Sequence, residues 1–302
     1  MTAAVIEVPA IRLEGFAKSY GAIPAVRGID LEVRPGEVFG FLGPNGAGKS
    51  TTIRCLLDLI RPTAGVVRVL GRDPRREGVE VRRQVGYVPG ELRLPDRSSA
   101  RQLLRSVGGL RGVGLHDRGA QLAERLGLDL DRRIQDLSTG NRRKVALLIA
   151  FASRPSLLVL DEPTNGLDPL MQHTFLELVA EARDAGTTVF LSSHVLSEVQ
   201  RAADRVAVLR AGRIVAQGTV AELRGRARQR LEAWFGEAVP TAELEGVPGL
   251  VDPLVDGRRL AATIAGPVGP VLAFLARHDV DSVAIAEPDL EDAFLDLYAE
   301  AP

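Results

Sequence analysis

The sequence predicts an α/β fold with a parallel-sheet core and an antiparallel β portion. Short apolar runs of strand character alternate with stretches of helical periodicity along the first 226 residues. Two runs, LLVL at 157–160 and TTVFL at 187–191, are almost entirely apolar or β-branched, which is typical of parallel strands covered on both faces. Earlier runs mix polar and apolar residues and are separated by turns such as Pro35-Gly36, which indicates antiparallel pairing.

The predicted elements follow this alternation in chain order. Strands are expected at 11–17, 28–34, 37–42, 66–70, 85–88, 157–161, 187–192, 204–210 and 213–217. Helices are expected at about 50–60, 99–107, 117–126, 140–152, 170–185, 195–203 and 219–226. The uncharged stretch at 260–276 is too short for a bilayer and is interrupted by proline and glycine, so it predicts a strand, a turn and a helix. We expect no segment of this sequence to cross a membrane alone.

Length and charge divide the chain into two parts. A chain of 302 residues is long enough for one large or two modest domains. Residues 1–226 carry 33 basic and 25 acidic side chains, whereas residues 227–302 carry 5 and 14. This change of surface predicts a domain boundary near residue 226, with domains at 10–226 and 227–302.

Cysteine content and charge pattern exclude several classes of protein. The single Cys55 excludes an intrachain disulfide, and no basic, apolar secretory start is present, so a cytoplasmic protein is expected. The arginines of the first 226 residues are scattered rather than interleaved with aromatic residues. They indicate a solvated surface, and no nucleic-acid partner is expected.

The motif GPNGAGKS, from Gly43 to Ser50, has the pattern of a phosphate loop. Its three glycines can adopt backbone angles closed to other residues, which lets several N–H groups turn inward around a triphosphate. Lys49 adds a charge for the β- and γ-phosphates, and Ser50 offers its hydroxyl to Mg²⁺. The apolar run VFGFL precedes the loop and a helix follows it, which is the context that the motif requires. The predicted ATP-binding residues of the loop are Gly43, Asn45, Gly46, Gly48, Lys49, Ser50 and Thr51.

A second motif, LLVLDEP at 157–163, ends an apolar strand with two carboxylates. Asp161 is suited to hold Mg²⁺, and Glu162 is suited to orient or deprotonate the attacking water. Alone the motif is weak, because acidic residues often begin loops. Together with the phosphate loop it predicts ATP hydrolysis.

Three further segments complete a characteristic order: LSTGN at 137–141, NGLDP at 165–169, and His194 after an apolar strand. With the two motifs above, they resemble the nucleotide-binding subunit of ATP-binding cassette (ABC) transporters over roughly residues 10–225. The resemblance implies an ABC-type P-loop NTPase with a parallel-sheet core, an antiparallel β portion and a helical subdomain, followed by a small C-terminal α+β domain.

The family's signature LSGGQ is changed at two positions in this chain. Ser138 and Gly140 match it, whereas Thr139 and Asn141 replace a glycine and a glutamine. The hydroxyl of Ser138 and the N–H groups that begin the next helix are expected to face a γ-phosphate. The segment also suits a helix N-cap, and both interpretations can hold together. Because Thr139 stands where the family has glycine, we expect it to affect how closely the backbone approaches the nucleotide.

The resemblance implies roles for five more positions. Tyr20 matches the aromatic residue that stacks on adenine, and His194 matches the histidine that contacts the γ-phosphate. Asp168 matches the loop that crosses the dimer interface. The family has a coupling glutamine after GYVP, where this chain has Gly90-Glu91. Either Glu91 takes over the contact by a one-residue shift, or the contact is lost.

The resemblance also implies partners. In the family, the signature of one subunit completes the phosphate loop of the other, so two copies of this chain would form the working unit. A groove on the region 88–140 would carry the motion to the cytoplasmic helix of a separate permease. The protein would therefore lie in the cytoplasm, peripheral to the cell membrane.

The last segment, EPDLEDAFLDLYAE, resembles the end of the extra domain in ABC-2-type drug and antibiotic exporters of the daunorubicin-resistance type. One face of its predicted helix carries Leu290, Ala293, Phe294, Leu297 and Tyr298. That domain would pack on the second copy or tune hydrolysis. Trp234 and Phe235 would seat it, or would belong to its core.

The sequence therefore predicts the Mg-ATP-hydrolysing subunit of an ABC-2-type exporter, with ATP and Mg²⁺ as cofactors. One alternative is an ABC-type ATPase that acts on ribosomes or nucleic acid. Such relatives usually carry two cassettes, a coiled-coil insertion or zinc-binding cysteines, none of which is visible in this sequence. Another alternative, a regulator that does not hydrolyse ATP, is disfavoured by Glu162 and His194. The cargo cannot be read from this chain.

Overall fold

The computed structural model describes residues 8–226 and 229–286, and it describes the side chains of these residues except at 224–226. The chain forms two compact units. These are Met1–Gly218 and Thr219–Pro302. The division falls slightly before the boundary at 226 expected from charge, so that the helix at Val220–Arg226 belongs to the second unit.

The first unit has the predicted α/β class. Its strands are β1 (Ile11–Tyr20), β2 (Ile23–Val33), β3 (Val38–Leu42), β4 (Ala64–Val69), β5 (Val85–Val88), β6 (Leu157–Asp161), β7 (Thr188–Ser193), β8 (Arg205–Arg210) and β9 (Arg213–Thr219). Its helices are α1 (Lys49–Leu56), α2 (Gly78–Gln84), α3 (Ala100–Arg111), α4 (His116–Arg125), α5 (Thr139–Ala152), α6 (Pro169–Asp184) and α7 (Leu196–Ala202), with a 3₁₀ turn at Ile134–Asp136.

A six-stranded sheet in the order β5-β6-β7-β3-β8-β9 forms the centre of this unit. The first five of these strands pair in parallel, and every residue of β3, β6 and β7 is buried. This burial explains their largely apolar sequences. Because parallel strands end at the same edge, the sheet brings the ends of β3, β6 and β7 together.

A three-stranded antiparallel sheet, in the order β2-β1-β4, forms the predicted antiparallel portion. Here β1 and β2 extend beyond the predicted 11–17 and 28–34, and join in a hairpin at Tyr20 and Ile23. Register shifts along β1 interrupt its alternation of buried and exposed residues. The period-two pattern is therefore too irregular to show the full strands.

One helical prediction requires correction, and one helix was not predicted. The helix predicted to run to about residue 60 ends at Leu56, and Asp58 takes a positive φ of 54° that an α-helix does not contain. No element was predicted at α2, whose buried residues comprise Val81 alone, so that it presents no apolar stripe. Helices α3, α4 and α5 form the predicted helical portion, and a capping box of Ser99 and Gln102 begins α3.

The second unit is a four-stranded antiparallel sheet with short helices. Its elements are α8 (Val220–Arg226), β10 (Gln229–Phe235), α9 (Thr241–Leu244), β11 (Leu250–Asp256), β12 (Arg259–Ile264), α10 (Gly269–Leu275) and β13 (Val280–Ala286). The strand order is β11-β12-β10-β13. The strand, turn and helix predicted within 260–276 correspond to β12 and α10, and Phe235 and Phe274 lie in the core of this unit. Trp234 is 37% exposed, on the opposite face of β10.

The apolar helix face predicted at 290–298 lies outside the described residues. Across the described ranges, no helix combines the length and the apolar character needed to span a membrane.

Candidate nucleotide site

The phosphate loop connects the end of β3 to the start of α1, as the motif predicts. Gly48 precedes α1 with φ 112° and ψ 3°, and a Cβ at this position would lie 2.6 Å from the carbonyl oxygen of Ala25. Both the positive φ and this close approach require glycine. The loop therefore places its backbone against β2 in a way that no other residue type permits.

A cavity of about 170 Å³ lies in the loop. Its lining residues are Ala25, Pro44, Asn45, Gly46, Gly48, Lys49, Ser50, Thr51 and Glu162. A larger cavity, of about 520 Å³, lies by the opposite ends of β6 and β7, lined in part by Ser156 and Thr187. The smaller cavity is the candidate nucleotide site, because it contains the phosphate loop and Glu162.

Lys49 is only 5% exposed and lies inside the loop. Its Nζ atom donates hydrogen bonds to the carbonyl oxygens of Gly43, at 2.6 Å, and Pro44, at 3.3 Å. The same ammonium group lies 3.3 Å from Oε1 of Glu162, with which it forms an ion pair. The ammonium group that is predicted to bind phosphates therefore lies at the N-terminus of α1.

Strand β6 delivers Asp161 and Glu162 to this edge of the sheet. Asp161 is 2% exposed, and its Oδ1 accepts a hydrogen bond of 3.0 Å from the hydroxyl of Ser192 on β7. Glu162 has a positive φ of 49°, and its N–H donates to the carbonyl oxygen of Ser192 at 3.0 Å. Residue 162 therefore bends out of the strand direction while staying bonded to β7.

Glu162 lies between two predicted phosphate-contacting residues. Its Oε2 is 2.7 Å from Nδ1 of His194, and its Oε1 pairs with Lys49. Oε1 is buried and makes no hydrogen bond of normal geometry. Burying a carboxylate oxygen without such a bond costs free energy. A further donor, such as a water molecule, would therefore bind favourably to this oxygen.

A second layer of hydrogen bonds holds this edge, and the sequence analysis did not identify it. Glu198 on α7 accepts from the hydroxyls of Thr164, at 2.7 Å, and Ser193, at 3.2 Å. The Ser193 oxygen in turn accepts from the N–H of Val195. The sequence does contain one sign of this layer, the hydroxyl pair Ser192-Ser193 at the end of a mostly apolar strand. Buried hydroxyls need hydrogen-bond partners, so such a pair predicts polar neighbours.

At the predicted coupling position, the backbone of Gly90 lies beside Asp161. A Cβ on Gly90 would lie 3.2 Å from Oδ2 of that aspartate, so a side chain here would press on the carboxylate. The next side chain, that of Glu91, is exposed. Tyr87 lies on β5, three residues before Gly90, and burial together with the Asp161 charge raises its pKa to about 12.

The signature residues lie on the surface at the start of α5. The hydroxyl of Ser138 accepts a hydrogen bond of 3.3 Å from the N–H of Asn141, so the predicted N-cap is present. Ser138 and Thr139 are exposed, and a Cβ on Gly140 would lie 2.8 Å from the carbonyl oxygen of Gly166. In the described chain, the signature residues do not line the nucleotide cavity of the same copy.

Asp168 and Tyr20 both occupy exposed positions. Asp168 is the N-cap of α6, where its carboxylate accepts from the N–H of Met171 at 2.9 Å. Tyr20 is 47% exposed at the end of β1, and Nζ of Lys18 lies 5.0 Å from its ring centroid. Tyr20 is not among the residues that line the described cavity, although Ala25 of the same hairpin is.

The donor set fits Mg²⁺ bound jointly with a nucleotide. Among the described residues, no group of three or more His, Cys, Asp or Glu side chains is placed to hold a metal ion by itself. Mg²⁺ in nucleotide sites usually takes one or two protein oxygens together with phosphates and water. Ser50 and Asp161 provide a hydroxyl and a carboxylate of the required kind.

Comparison with known proteins identifies the family of this chain. The family model for ABC transporters matches residues 26–165. The daunorubicin/doxorubicin resistance ATP-binding protein of Streptomyces peucetius is 37% identical, over 95% of this chain and 92% of its own length. The Nod factor export ATP-binding protein I of Cupriavidus metallidurans is 34% identical, over 95% of this chain and 96% of its own length.

Among solved structures, an ATP-binding subunit of an ABC transporter matches with a TM-score of 0.69 and 30% identity, covering 72% of this chain and 92% of that chain. These relatives do not favour the alternative of an ATPase that acts on ribosomes or nucleic acid. The fold, the phosphate loop and full-length relatives agree, and the chain belongs to the ATP-hydrolysing, ATP-binding subunits of ABC transporters.

Proposed function

We propose that this chain hydrolyses Mg-ATP as a homodimer to drive a separate ABC-2-type permease that exports a drug or antibiotic. The observation that carries the chemistry is the position of Glu162, between Lys49 and His194 at the edge of the phosphate loop. The name of the Streptomyces relative, a drug-resistance ATP-binding protein matched over both parts of the chain, supports the cargo class. The protein would act in the cytoplasm, touching the membrane only through the permease.

The residues of the loop account for binding. Lys49 would exchange its bonds to the carbonyls of Gly43 and Pro44 for bonds to the β- and γ-phosphates. The loop N–H groups and the start of α1 add further favourable potential for an anion. Ser50 and Asp161 would hold Mg²⁺, which neutralises charge on the phosphates when bound. The hydroxyl of Ser192 keeps Asp161 oriented for that task.

Glu162 and His194 account for hydrolysis. Oε1 of Glu162 is suited to accept a proton from the attacking water, because it is buried and lacks a hydrogen bond of normal geometry. The bond of 2.7 Å between Oε2 and His194 Nδ1 fixes the orientation of that carboxylate. His194 is 41% exposed, so it remains accessible to a γ-phosphate as well.

Two copies are needed in this proposal because of where the signature lies. Ser138, Thr139, Gly140 and Asn141 lie at an exposed helix start and do not line the described cavity of their own copy. A second copy would present them to the γ-phosphate, with Asp168 near the interface. ATP would then favour the closed dimer, because it contacts both copies only in that state.

The test compares wild type, Glu162→Gln and Glu177→Gln. The last variant is a matched control, because Glu177 is an exposed carboxylate on α6. We expect Mg-ATP turnover to fall by at least about a hundredfold in Glu162→Gln alone. Light scattering should then show an ATP-dependent dimer of Glu162→Gln. Equal turnover in all three proteins would refute the role of Glu162, and a monomer at saturating Mg-ATP would refute the shared site.

The permease is tested separately, by purification of the protein from its native membranes under mild detergent. Recovery together with a multispanning protein is the expected result. Salt-sensitive retention on RNA, without such a partner, would instead favour a nucleic-acid role.

A further inference from the structure

Arg143 is a buried arginine on the helix that the signature begins. It is 6% exposed and lies on α5, five residues after Ser138. One terminal nitrogen donates to the carbonyl oxygen of Pro89 at 2.6 Å, and the other donates to that of Gly90 at 2.9 Å. The guanidinium group thus holds two consecutive carbonyls with its planar fork, which a single ammonium group could not match.

The turn that Arg143 holds lies beside Asp161, the carboxylate that the proposed function assigns to Mg²⁺. A Cβ on Gly90 would lie 3.2 Å from Oδ2 of Asp161, so the Gly90 backbone is close to that carboxylate. Burial lowers the pKa of Arg143, while the charges of Asp161 and Glu162 raise it. The arginine stays charged, and its position near two carboxylates offsets part of the cost of burying it.

The neighbouring arginine contacts a different segment. Nε of Arg142 lies 3.2 Å from the carbonyl oxygens of both Ile134 and Leu137, immediately before the signature serine. Side chains at 142 and 143 therefore bond α5 to two separate loops. One loop leads into the signature, and the other lies against Asp161.

We propose that Arg143 is a positioning residue that couples α5 to the Pro89–Gly90 turn and so fixes Asp161 for Mg-ATP. The proposal rests on the proposed function, in which Asp161 helps to hold Mg²⁺. Ser138 and Arg143 are separated by about 7.5 Å along one helix. A shift of α5, when its exposed end meets the nucleotide of a second copy, is therefore transmitted to the metal-binding edge of its own copy.

The experiment compares Arg143→Met and Arg143→Lys with Arg111→Met. Arg111 is a close match, because its guanidinium also donates to a carbonyl of the same strand region, that of Val85 at 2.5 Å, and to Ser153 at 2.5 Å. Val85 begins β5, whereas Pro89 follows its other end. Arg111 is thus a half-buried arginine at the end of β5 away from Asp161.

Three quantities are measured in each protein. The first is the backbone order parameter of the Gly90 amide by NMR relaxation, without nucleotide. The second is the Mg²⁺ concentration that half-saturates binding of a fluorescent ATP analogue. The third is kcat and KM for ATP.

We expect Arg143→Met to lower the Gly90 order parameter from about 0.85 to below about 0.6. We expect it to raise the Mg²⁺ requirement at least about tenfold and to lower kcat by about ten- to a hundredfold, with KM nearly unchanged. Arg143→Lys should restore part of each quantity, and Arg111→Met should change none of them. If Arg143→Met does not fold, the same comparison is made with Arg143→Lys.

Two results would overturn the proposal. One is a folded Arg143 variant in which all three quantities match wild type, and the other is an equal change in Arg111→Met. Failure of the proposed function is distinguishable, because a wild type without turnover would still allow the Gly90 measurement. An ordered Gly90 in wild type that loosens only in the Arg143 variants would then support the mechanical coupling alone.

Discussion

The two units of this protein differ in where they place charged residues: among the described residues, only the first unit buries them. In the first unit, Lys49, Asp161 and Arg143 are each less than 10% exposed. In the second unit, Glu232 and Arg259 pair at 2.7 Å on the open face of the sheet, with each side chain almost half exposed. Buried charges are costly without partners, whereas exposed pairs contribute little. Both units have an apolar core, but among the described residues only the first also holds buried, partnered charges.

The second unit has its own apolar core, on one face of its antiparallel sheet. Leu231, Ala233 and Phe235 alternate along β10 with residues that are more exposed, and they pack with Phe274 of α10. This alternation is what a sheet with one covered face predicts. The described members of this core cluster are all apolar, and the ring of His278 packs against Phe235 and Phe274 beside them.

The largest expected effect comes from removing the buried charge of the first unit. Lys49→Met should lower Mg-ATP turnover at least about a hundredfold, because the phosphates lose a preorganised cation. Arg54→Met is the control, since Arg54 lies on the same helix but is exposed. Steady-state hydrolysis and nucleotide binding check this prediction. Normal ATP binding and turnover in Lys49→Met would contradict the role of this buried charge in the first unit.

Next in size is a loss of packing in the second unit. Phe274→Ala should lower the free energy of unfolding of that unit by about 3–5 kcal/mol, because Phe274 is only 1% exposed. Leu272→Ala is the matched control on α10, since Leu272 is 43% exposed and should cost far less. Urea denaturation followed by Trp234 fluorescence measures both, because Trp234 belongs to this unit. Equal losses in the two variants would contradict the assigned core.

A smaller effect tests whether burial also controls titration in the first unit. Burial raises the pKa of Cys55 from 9.0 to about 11, so the folded state keeps a proton that the unfolded state releases above pH 9. Stability is therefore complete below pH 9 and falls as pH rises towards 11, by about 2 kcal/mol from this thiol. Tyr87, whose pKa is raised to about 12, is present in both wild type and the Cys55→Ala variant used below, so it does not affect their comparison.

The measurement is urea denaturation of wild type and Cys55→Ala at pH 8 and pH 10.5. Wild type should lose more stability than the variant over that interval. Parallel curves would show that the thiol ionises as readily in the folded state as in the unfolded state, and that the burial argument is wrong.

The chemistry of the first unit was more predictable than its geometry. Phosphate binding demands glycines and a lysine at fixed spacing, so the loop from Gly43 to Ser50 could be located from the sequence alone. The bond between Glu162 and His194 could not, since it depends on β6 and β7 being neighbours in the sheet. A strand order is a property of the whole unit rather than of any local pattern.

Where local patterns are weak, the sequence analysis missed structure. Helix α2 buries only Val81, and the shifted register of β1 hides its true length. Arg143 carried no signal either, because an arginine in a helix normally lies at the surface and this one is buried by tertiary packing. In the second unit, β12 and α10 were predicted because proline and glycine interrupt the uncharged stretch at 260–276 and so divide it into separate elements.

The backbone of Glu162 has a consequence for how this protein can evolve. Its φ of 49° lies in a region that costs a non-glycine residue about 1 kcal/mol or more. Replacement by glycine would relieve that strain and remove the carboxylate that we assign to hydrolysis. Selection for thermal stability alone would therefore favour inactive descendants at this position, and only selection for activity preserves the strained residue.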